Sequence, residues 1–294
     1  MYLRLIVLYY CKILKELNQM KKLFNITFVL LLFTTIALFE GCSDDTNPTA
    51  PQGPNTSSYV YFGEEYAIGG RAKVVLYFGD SLFTGYNRIY LVLYDSLTND
   101  LIEDAHIEFE PVDHGSGAPV ENPDQNAVNG VFSGAVVFTE AQTTDDPRHW
   151  HFHIHVHNHE APGEPEGEAE FEGFHIKDTP EKMFVYSSDT TTSYVFALIN
   201  PQSPVQGSNN FEILVSQKVG VEYQAFPWFT FTNIKVQEIG SGVLSTGNSD
   251  PITTGNGRYA GTINLPSSGT WNVKMDFSHS GVTNSGDFFQ INLY

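Results

Sequence analysis

The chain has 294 residues, of which 41% are hydrophobic and 14% aromatic, enough for one large core or two ordinary ones, and we expect two domains. Its 34 acidic residues outnumber 15 Lys and Arg, giving a formal net charge of −19. A surface this negative repels nucleic-acid phosphates and attracts cations, which excludes nucleic acid as an expected partner. The two cysteines, Cys11 and Cys42, both precede the part expected to fold, so the sequence predicts no internal disulfide and no thiolate metal site.

Residues 1–41 have the order of a secretory signal. Met20 and two lysines open a short positive region, and residues 23–39 form an uncharged run of 17 residues, so we place the true start at Met20. The alternative is an uncleaved transmembrane helix, although the run is short for one and a polar segment follows directly. That segment, residues 42–58, is rich in Pro, Ser, Asn and Asp and predicts a flexible tether.

The junction Gly41-Cys42 at the end of the apolar run resembles the lipobox of bacterial lipoproteins. The resemblance implies cleavage before Cys42, acylation of its thiol and a lipid anchor in a membrane. The acidic residues just after Cys42 also resemble the surface-export signal of Bacteroidota lipoproteins. We therefore expect a lipid-anchored protein of the cell envelope, in the outer membrane on either its periplasmic or its cell-surface face.

The remainder contains two copies of one unit, predicted as domains 59–179 and 180–294. Each copy consists of short alternating runs rich in Val, Ile, Tyr, Phe and Thr, separated by Gly, Asn, Asp and Pro clusters. We therefore predict an all-β fold of two tandem immunoglobulin-like antiparallel β-sandwich domains. Three landmarks recur in order, a Gly-x-Asn strand, an Asn-Gly-x-[Phe/Tyr]-x-Gly strand and a tryptophan opening the next strand: Gly85 and Gly207, Asn129 and Asn256, Trp150 and Trp271.

This ordered set of landmarks resembles the YtkA-like domain family of bacterial envelope proteins, twice over residues 59–294. The resemblance implies a small β-sandwich and a link to metal or copper handling in the envelope. One feature departs from the family pattern, because the loops before the Asn-Gly strands hold no methionine. That departure argues against ligation of Cu(I), which prefers soft ligands.

Residues 148–159 place a histidine at every second position, and we call this set the histidine ladder. In an extended strand these imidazoles share one face, while Trp150, Phe152, Ile154 and Val156 share the face that packs into the core. The ladder consists of His149, His151, His153, His155, His157 and His159.

A second alternating segment, in which every second residue from Glu164 to Glu172 is a glutamate, follows the turn Glu160-Ala-Pro-Gly and predicts the returning strand of a hairpin. With His159 opposite Glu164, the predicted pairs are His157 with Glu166, His155 with Glu168, His153 with Glu170 and His151 with Glu172. Imidazoles and carboxylates would then lie about 5 Å apart at Cβ.

Imidazole nitrogen and carboxylate oxygen together suit divalent transition metals, namely Zn²⁺, Cu²⁺ or Ni²⁺. We expect several open sites formed by the histidine ladder with Glu166, Glu168 and Glu170. The alternative is a hairpin held by cross-strand His and Glu pairs with no ion. The strand after Trp271 has Asn, Lys, Asp and Ser at the equivalent positions, so the fold does not need histidine there.

The other histidines are weaker candidates. His106, in a predicted strand, and His114, in a loop, are expected to be incidental unless the fold brings them near the ladder; His175 extends the glutamate strand with either orientation, and His279 is expected to be structural. A group of aromatic residues is expected in the core rather than in a carbohydrate or protein contact patch: Tyr59, Tyr61, Phe62, Trp228 and Phe229.

The sequence thus favours a lipid-anchored envelope protein that sequesters, buffers or delivers divalent metal ions, with an envelope protein as a candidate receiver of the metal. The alternative is a structural or adhesive cell-surface module without metal. We expect no enzymatic activity, because an outward sheet face offers no enclosed pocket and the chain has no nucleophile elbow, phosphate loop or H-E-x-x-H motif.

Overall fold

The computed structural model describes residues 53–142, 150–189 and 192–294. Expectations for the signal segment, Cys42, most of the tether and His149 concern residues outside these ranges. The last residues of the tether, 53–58, are described and end in a turn, in which the Tyr59 N–H donates to the carbonyl oxygen of Thr56 at 3.0 Å. Among the described residues, no helix is long and apolar enough to cross a bilayer.

The described chain is built of strands and one short 3₁₀ turn, Pro180–Lys182. The first half contains β1 (Val60–Ala67), β2 (Ala72–Phe78), β3 (Gly85–Asp95), β4 (Leu101–Ile102), β5 (Ala105–Asp113), β6 (Ser116–Gly117), β7 (Val120–Glu121), β8 (Phe132–Phe138), β9 (Trp150–Asn158) and β10 (Glu166–Phe171). The second half contains β11 (Met183–Ser187), β12 (Ser193–Asn200), β13 (Gly207–Val219), β14 (Glu222–Ala225), β15 (Thr230–Glu238), β16 (Ser249–Gly255), β17 (Arg258–Leu265), β18 (Gly269–His279) and β19 (Val282–Leu293).

The strands form two sandwiches, each of two antiparallel sheets. In the first, a sheet in the order β1-β2-β3-β8-β7, with β4 beside β3, packs against the sheet β10-β9-β5-β6. In the second, a sheet in the order β11-β12-β13-β17-β16, with β14 beside β13, packs against β15-β18-β19. The predicted fold class, two tandem antiparallel β-sandwiches, is confirmed. The predicted boundary at 179/180 lies between Ile176, the last residue of the first core, and β11.

The recurring landmarks have the same structural role in both sandwiches. Asn87 and Asn209 each bond to both backbone groups of the residue four positions earlier and donate to the carbonyl oxygen of the glycine two positions earlier. Both tryptophan ring N–H groups donate to a carbonyl oxygen of the preceding loop, at 3.1 and 3.0 Å. The sequence motifs therefore mark the bonds that hold each strand entry in place.

The two Asn-Gly landmarks are left-handed turns. Asn129 and Gly130 have φ of 55° and 76°, and Asn256 and Gly257 have φ of 49° and 75°. Two successive residues with positive φ suit a tight hairpin turn, and Asn followed by Gly is the pair that tolerates this conformation best. Each turn leads directly into the strand that continues the larger sheet, β8 or β17.

The apolar residues of each sandwich form its own core, and β9 illustrates how. Trp150, Phe152, Ile154 and Val156 are each at most 1% exposed, and their neighbours in sequence point the other way. Full burial of a large apolar side chain contributes about 1.5–3 kcal/mol. Four such residues on one strand fix which face of β9 points inward, because a slip by one residue would expose them all.

The two sandwiches are joined by a contact between the outer faces of the sheets containing β3 and β13, which the sequence did not predict. Its apolar part consists of Tyr86, Ala135, Val137, Val195, Ala197, Ile199 and Leu214. Beside it, Arg258 of the second sandwich bonds twice to Glu121 of the first, at 2.6 and 2.7 Å, and once to Glu212 at 2.7 Å. Its hydrogen bond to Glu121 raises the Arg258 pKa, whereas burial and then Glu121 raise the Tyr86 pKa.

Candidate metal centre

Four residues of the histidine ladder lie on β9, the second strand of its sheet. His151, His153, His155 and His157 occupy the face opposite the buried apolar residues, with side chains 33%, 25%, 41% and 31% exposed. The predicted alternation is therefore confirmed for the described part of the ladder. Neighbouring side chains partly cover the imidazoles, which limits the directions from which a carboxylate can approach them.

The strand β10 pairs with β9 in the predicted register. Glu166 lies opposite His157, Glu168 opposite His155 and Glu170 opposite His153, with Phe171 opposite Phe152 in the core. The predicted pair of His159 with Glu164 lies outside the paired part of the two strands. Glu164 has a φ of 46° in the hairpin turn and its carboxylate lies 3.8 Å from His157, while His159 contacts Asp104 at 2.8 Å.

The other neighbour of β9 is β5, which carries a second set of polar residues on the same face. His106 lies opposite His157, Glu108 opposite His155 and Glu110 opposite His153. The sequence predicted His106 to be incidental unless the fold brings it near the ladder, and the glutamates of β5 were not among the predicted ligands. The alternation of β5 between exposed and buried residues was visible in the sequence, but nothing in it told which strand would pair with β9 on this side.

The result is a face of three strands in which His153 and His155 lie between glutamates of both neighbouring strands, and we call it the His/Glu face. The contacts are His151 Nδ1 to Glu170 Oε1 (2.9 Å) and to Glu172 Oε1 (3.1 Å), His153 Nδ1 to Glu168 Oε1 (2.7 Å), His155 Nε2 to Glu110 Oε2 (3.0 Å), His155 Nδ1 to Glu168 Oε2 (3.5 Å), and His157 Nδ1 to Glu166 Oε1 (3.5 Å).

One group on the His/Glu face converges in the way that a metal ion requires. One nitrogen of His151 and one oxygen each of Glu170 and Glu172 lie within 4.8 Å of one another. Among the described residues this is the one group of three or more that meets this distance, where the sequence predicted several. The difference arises at His155, where Glu110 and Glu168 approach different ring nitrogens from opposite sides.

The far end of the ladder has a different environment. His159 Nδ1 lies 2.8 Å from Asp104 Oδ1 and 2.8 Å from Gln125 Nε2. The hydrogen bond from His159, followed by the one from Gln125, lowers the pKa of the Asp104 carboxyl. Glu160 ties the same corner together, since its Oε1 accepts the backbone N–H of Asp104 at 2.9 Å. His159 therefore belongs to a corner of hydrogen bonds rather than to the convergent group.

The remaining histidines lie outside the His/Glu face. His114 has a φ of 48° in the turn after β5 and contacts Asp113 at 2.7 Å. His175 is exposed beyond the end of β10. His279 packs edge-on against Phe226 and Phe229, as expected of a structural residue.

The aromatic residues divide between core and surface. Phe229 is 7% exposed and belongs to the second core, and Phe62 packs against the first. Trp228 and Tyr61 are 68% and 57% exposed, so the expectation that they lie in the core is wrong for these two. Tyr59 stacks on Tyr90 with ring centroids 3.8 Å apart. Exposure of single large side chains is common and does not by itself mark a binding patch.

The second sandwich has the same sheet without the histidines. Its middle strand, β18, carries Asn272, Lys274, Asp276 and Ser278 at the outward positions after Trp271. Lys274 bonds to Asp287 at 2.9 Å, an ordinary exposed ion pair. The fold therefore tolerates residues other than histidine on this face.

No family model and no curated protein matches the chain, so its resemblance to YtkA-like domains stays a prediction. Alignments to solved structures include a conserved domain protein from Bacillus anthracis, at 12% identity and a TM-score of 0.31, covering 84% of this chain and 96% of that one. They also include the adhesin InvE of Yersinia pseudotuberculosis, at 13% identity and a TM-score of 0.22, covering 72% and 56%. Domains 5–6 of the S-layer protein SbsC align at 9% identity and a TM-score of 0.26, covering 78% and 97%. Scores this low carry no argument about what this chain does.

Proposed function

We propose that the chain is the folded part of an exported cell-envelope protein whose two sandwiches form one module, and that the His/Glu face of this module binds divalent transition-metal ions. The single observation that carries the metal proposal is the convergence of His151, Glu170 and Glu172 within 4.8 Å. One imidazole nitrogen and two carboxylate oxygens, with water completing the shell, suit Zn²⁺, Ni²⁺ or Cu²⁺.

The duplication supports a functional reason for the histidines. The sheet β10-β9-β5 has a counterpart in β19-β18-β15, apart from the short β6, yet only β9 of the two middle strands carries a row of histidines on its outward face. In the second sandwich, Asn, Lys, Asp and Ser occupy the equivalent positions of β18, so a stable sheet does not require histidine there. This difference supports a purpose for the row of imidazoles and its neighbouring carboxylates beyond holding the sheet together.

The setting fits a protein that sequesters, buffers or delivers metal rather than an enzyme. The ligands lie on an outward sheet face, and the strong negative charge of the chain raises the local cation concentration. Acylation of Cys42 would hold the module at the outer membrane, with an envelope protein as the receiver of the metal. Catalysis would require a water-excluding pocket around the ion, for which this face is a poor scaffold.

Isothermal titration of the purified protein with Zn²⁺ tests the metal proposal. The wild type is expected to release or absorb heat in a saturable manner. His151→Thr, which keeps a good strand former at the position, is expected to weaken binding because it removes the one imidazole of the convergent group. His175→Thr is the matched control, since it removes an exposed histidine outside the face. No saturable heat up to about 1 mM Zn²⁺ would contradict the proposal.

A second candidate function is a structural or adhesive cell-surface module without metal. The contact between the sandwiches favours it, because seven buried residues and the hydrogen bonds of Arg258 join the two sandwiches, as a module that bears load at a surface requires. In this case the His–Glu contacts only hold the hairpin. Replacing the described ladder histidines by Thr would then leave metal tolerance of the cells unchanged and alter surface attachment.

A further inference from the structure

A depression on the His/Glu face contains more histidines than the convergent group of His151, Glu170 and Glu172. It has a volume of about 490 Å³, and Ile68 forms part of its wall. Three histidines and three glutamates also line it: His106, His155, His157, Glu108, Glu166 and Glu168. These histidines come from two different strands, β5 and β9. The depression lies toward the opposite end of β9 from the group at His151.

The wall of the depression is formed by the turn between β1 and β2, which crosses over β10. The Ile68 N–H donates to the carbonyl oxygen of Glu168 at 2.9 Å, and Ile68 as a whole is 85% exposed. At the crossing, Gly70 meets Gly167 so closely that a Cβ on Gly167 would lie 2.1 Å from the Gly70 nitrogen. Glycine at both positions permits this approach, and the approach gives an otherwise open sheet face a raised apolar edge.

The three imidazoles occupy neighbouring positions of the face, and because their nitrogens do not all lie within 4.8 Å of one another, sharing one ion requires the rings to rotate. His106 lies directly opposite His157, which puts their Cβ atoms about 5 Å apart, and His155 lies one step along the same face, about 7 Å from His157. The His106 side chain is 58% exposed and its Nε2 contacts Glu108 at 3.1 Å. The His157 nitrogens lie 3.5 and 3.8 Å from carboxylate oxygens, longer than hydrogen bonds, so this ring can turn toward an ion without losing a short hydrogen bond. His155 would give up its 3.0 Å contact from Nε2 to Glu110 when it binds the ion.

From this placement we infer that the depression is a second metal site, in which His106, His155 and His157 supply three nitrogen ligands to a divalent transition metal. Three imidazoles satisfy most of a tetrahedral shell and bind Zn²⁺ or Co²⁺ more tightly than one imidazole with two carboxylates. Glu108 and Glu166 are placed to orient the imidazoles or to supply a fourth ligand. The inference rests on the proposed function, because it assigns a further site to the same face.

The two sites are separate. His151 and His157 are six residues apart on one strand, a distance of about 20 Å at 3.3 Å per residue. Each can therefore be removed without touching the other. The pair of variants His106→Thr and His151→Thr separates them, since each removes an outward histidine of the same sheet and places a strand-compatible residue there.

Titration of the full chain with Co²⁺, followed by its visible absorption, tests the inference. Tetrahedral Co²⁺ with nitrogen ligands absorbs more strongly than octahedral Co²⁺, so the spectrum reports on the kind of site as well as on occupancy. The wild type is expected to bind about two equivalents, with the intense absorption arising from the first. His106→Thr is expected to lose that intense band and about one equivalent, and His151→Thr is expected to keep the band.

The possible results separate the inference from the proposed function. Retention of the full band and stoichiometry by His106→Thr, with a wild type that binds Co²⁺, overturns the second site and leaves the proposed function standing. Absence of Co²⁺ binding by the wild type overturns both. Loss of all binding in His106→Thr, with no effect in His151→Thr, supports the depression and overturns the group at His151. Far-ultraviolet circular dichroism on both variants confirms that each comparison is between folded proteins.

Discussion

Replacing Arg258 by methionine is expected to destabilise the contact between the sandwiches by about 2–3 kcal/mol. The guanidinium donates twice to Glu121, once to Glu212 and once to the Tyr86 hydroxyl oxygen, at 2.6 to 2.9 Å. The side chains of Arg258, Glu121 and Glu212 are 33%, 22% and 16% exposed. Breaking a fully buried ion pair costs about 3–5 kcal/mol and an exposed pair about 1 kcal/mol or less, so partial burial places this cluster between the two.

Urea unfolding followed by tryptophan fluorescence measures this cost, because Trp150 and Trp271 are buried in different sandwiches. The matched control is Lys274→Met, which removes an exposed pair whose side chains are 42% and 60% exposed. It is expected to cost less than about 1 kcal/mol. The Arg258→Met variant should still fold, since the apolar part of the contact remains. Equal destabilisation by the two substitutions would refute the reasoning that burial makes the Arg258 cluster a stabilising joint.

Three further predictions concern single residues of the fold. Burial raises the pKa of Tyr259 to about 12. The buried neutral hydroxyl therefore stabilises the fold fully below about pH 10, and this stabilisation is lost as the pH rises through about 12. Tyr259→Phe should flatten this alkaline fall in stability, measured by thermal unfolding. Gly167→Ala should cost about 1–3 kcal/mol or more, because the new methyl group would collide with the backbone of Gly70, and a urea midpoint like that of the wild type would contradict the crossing. Asn87→Ala and Asn209→Ala should each lower the free energy of unfolding by about 2–3 kcal/mol, because the two side chains make the same three hydrogen bonds. Clearly unequal losses in urea unfolding would contradict the structural duplication.

Local patterns predicted the fold class and the hairpin well. The alternation in residues 150–158 fixes which face of β9 is buried, and the turn after Glu160 fixes its pairing with β10, so the register of Glu166 with His157 could be derived without coordinates. The recurrence of Gly-x-Asn and Asn-Gly could be read as duplication for a similar reason. These motifs make bonds within four residues, and such bonds depend little on the rest of the chain.

The contribution of β5 to the His/Glu face could not be derived in the same way. His106 and His157 are separated by fifty residues of chain, and several outward-facing strands could have become the other neighbour of β9. The contact at Arg258 could not be derived for the same reason, because it joins the two sandwiches through residues that are distant in sequence. The approach of Ile68 to β10 likewise depends on the close crossing of two backbones at Gly70 and Gly167, and a single glycine in the sequence does not predict such a crossing.

Diffraction from zinc-soaked crystals at wavelengths on either side of the zinc absorption edge tests the central claim most directly. We predict an anomalous peak between the Nδ1 atom of His151 and the carboxylates of Glu170 and Glu172, within about 2.0–2.2 Å of its ligands. A His/Glu face without any anomalous peak, at a zinc concentration that fills other sites in the crystal, would contradict the account.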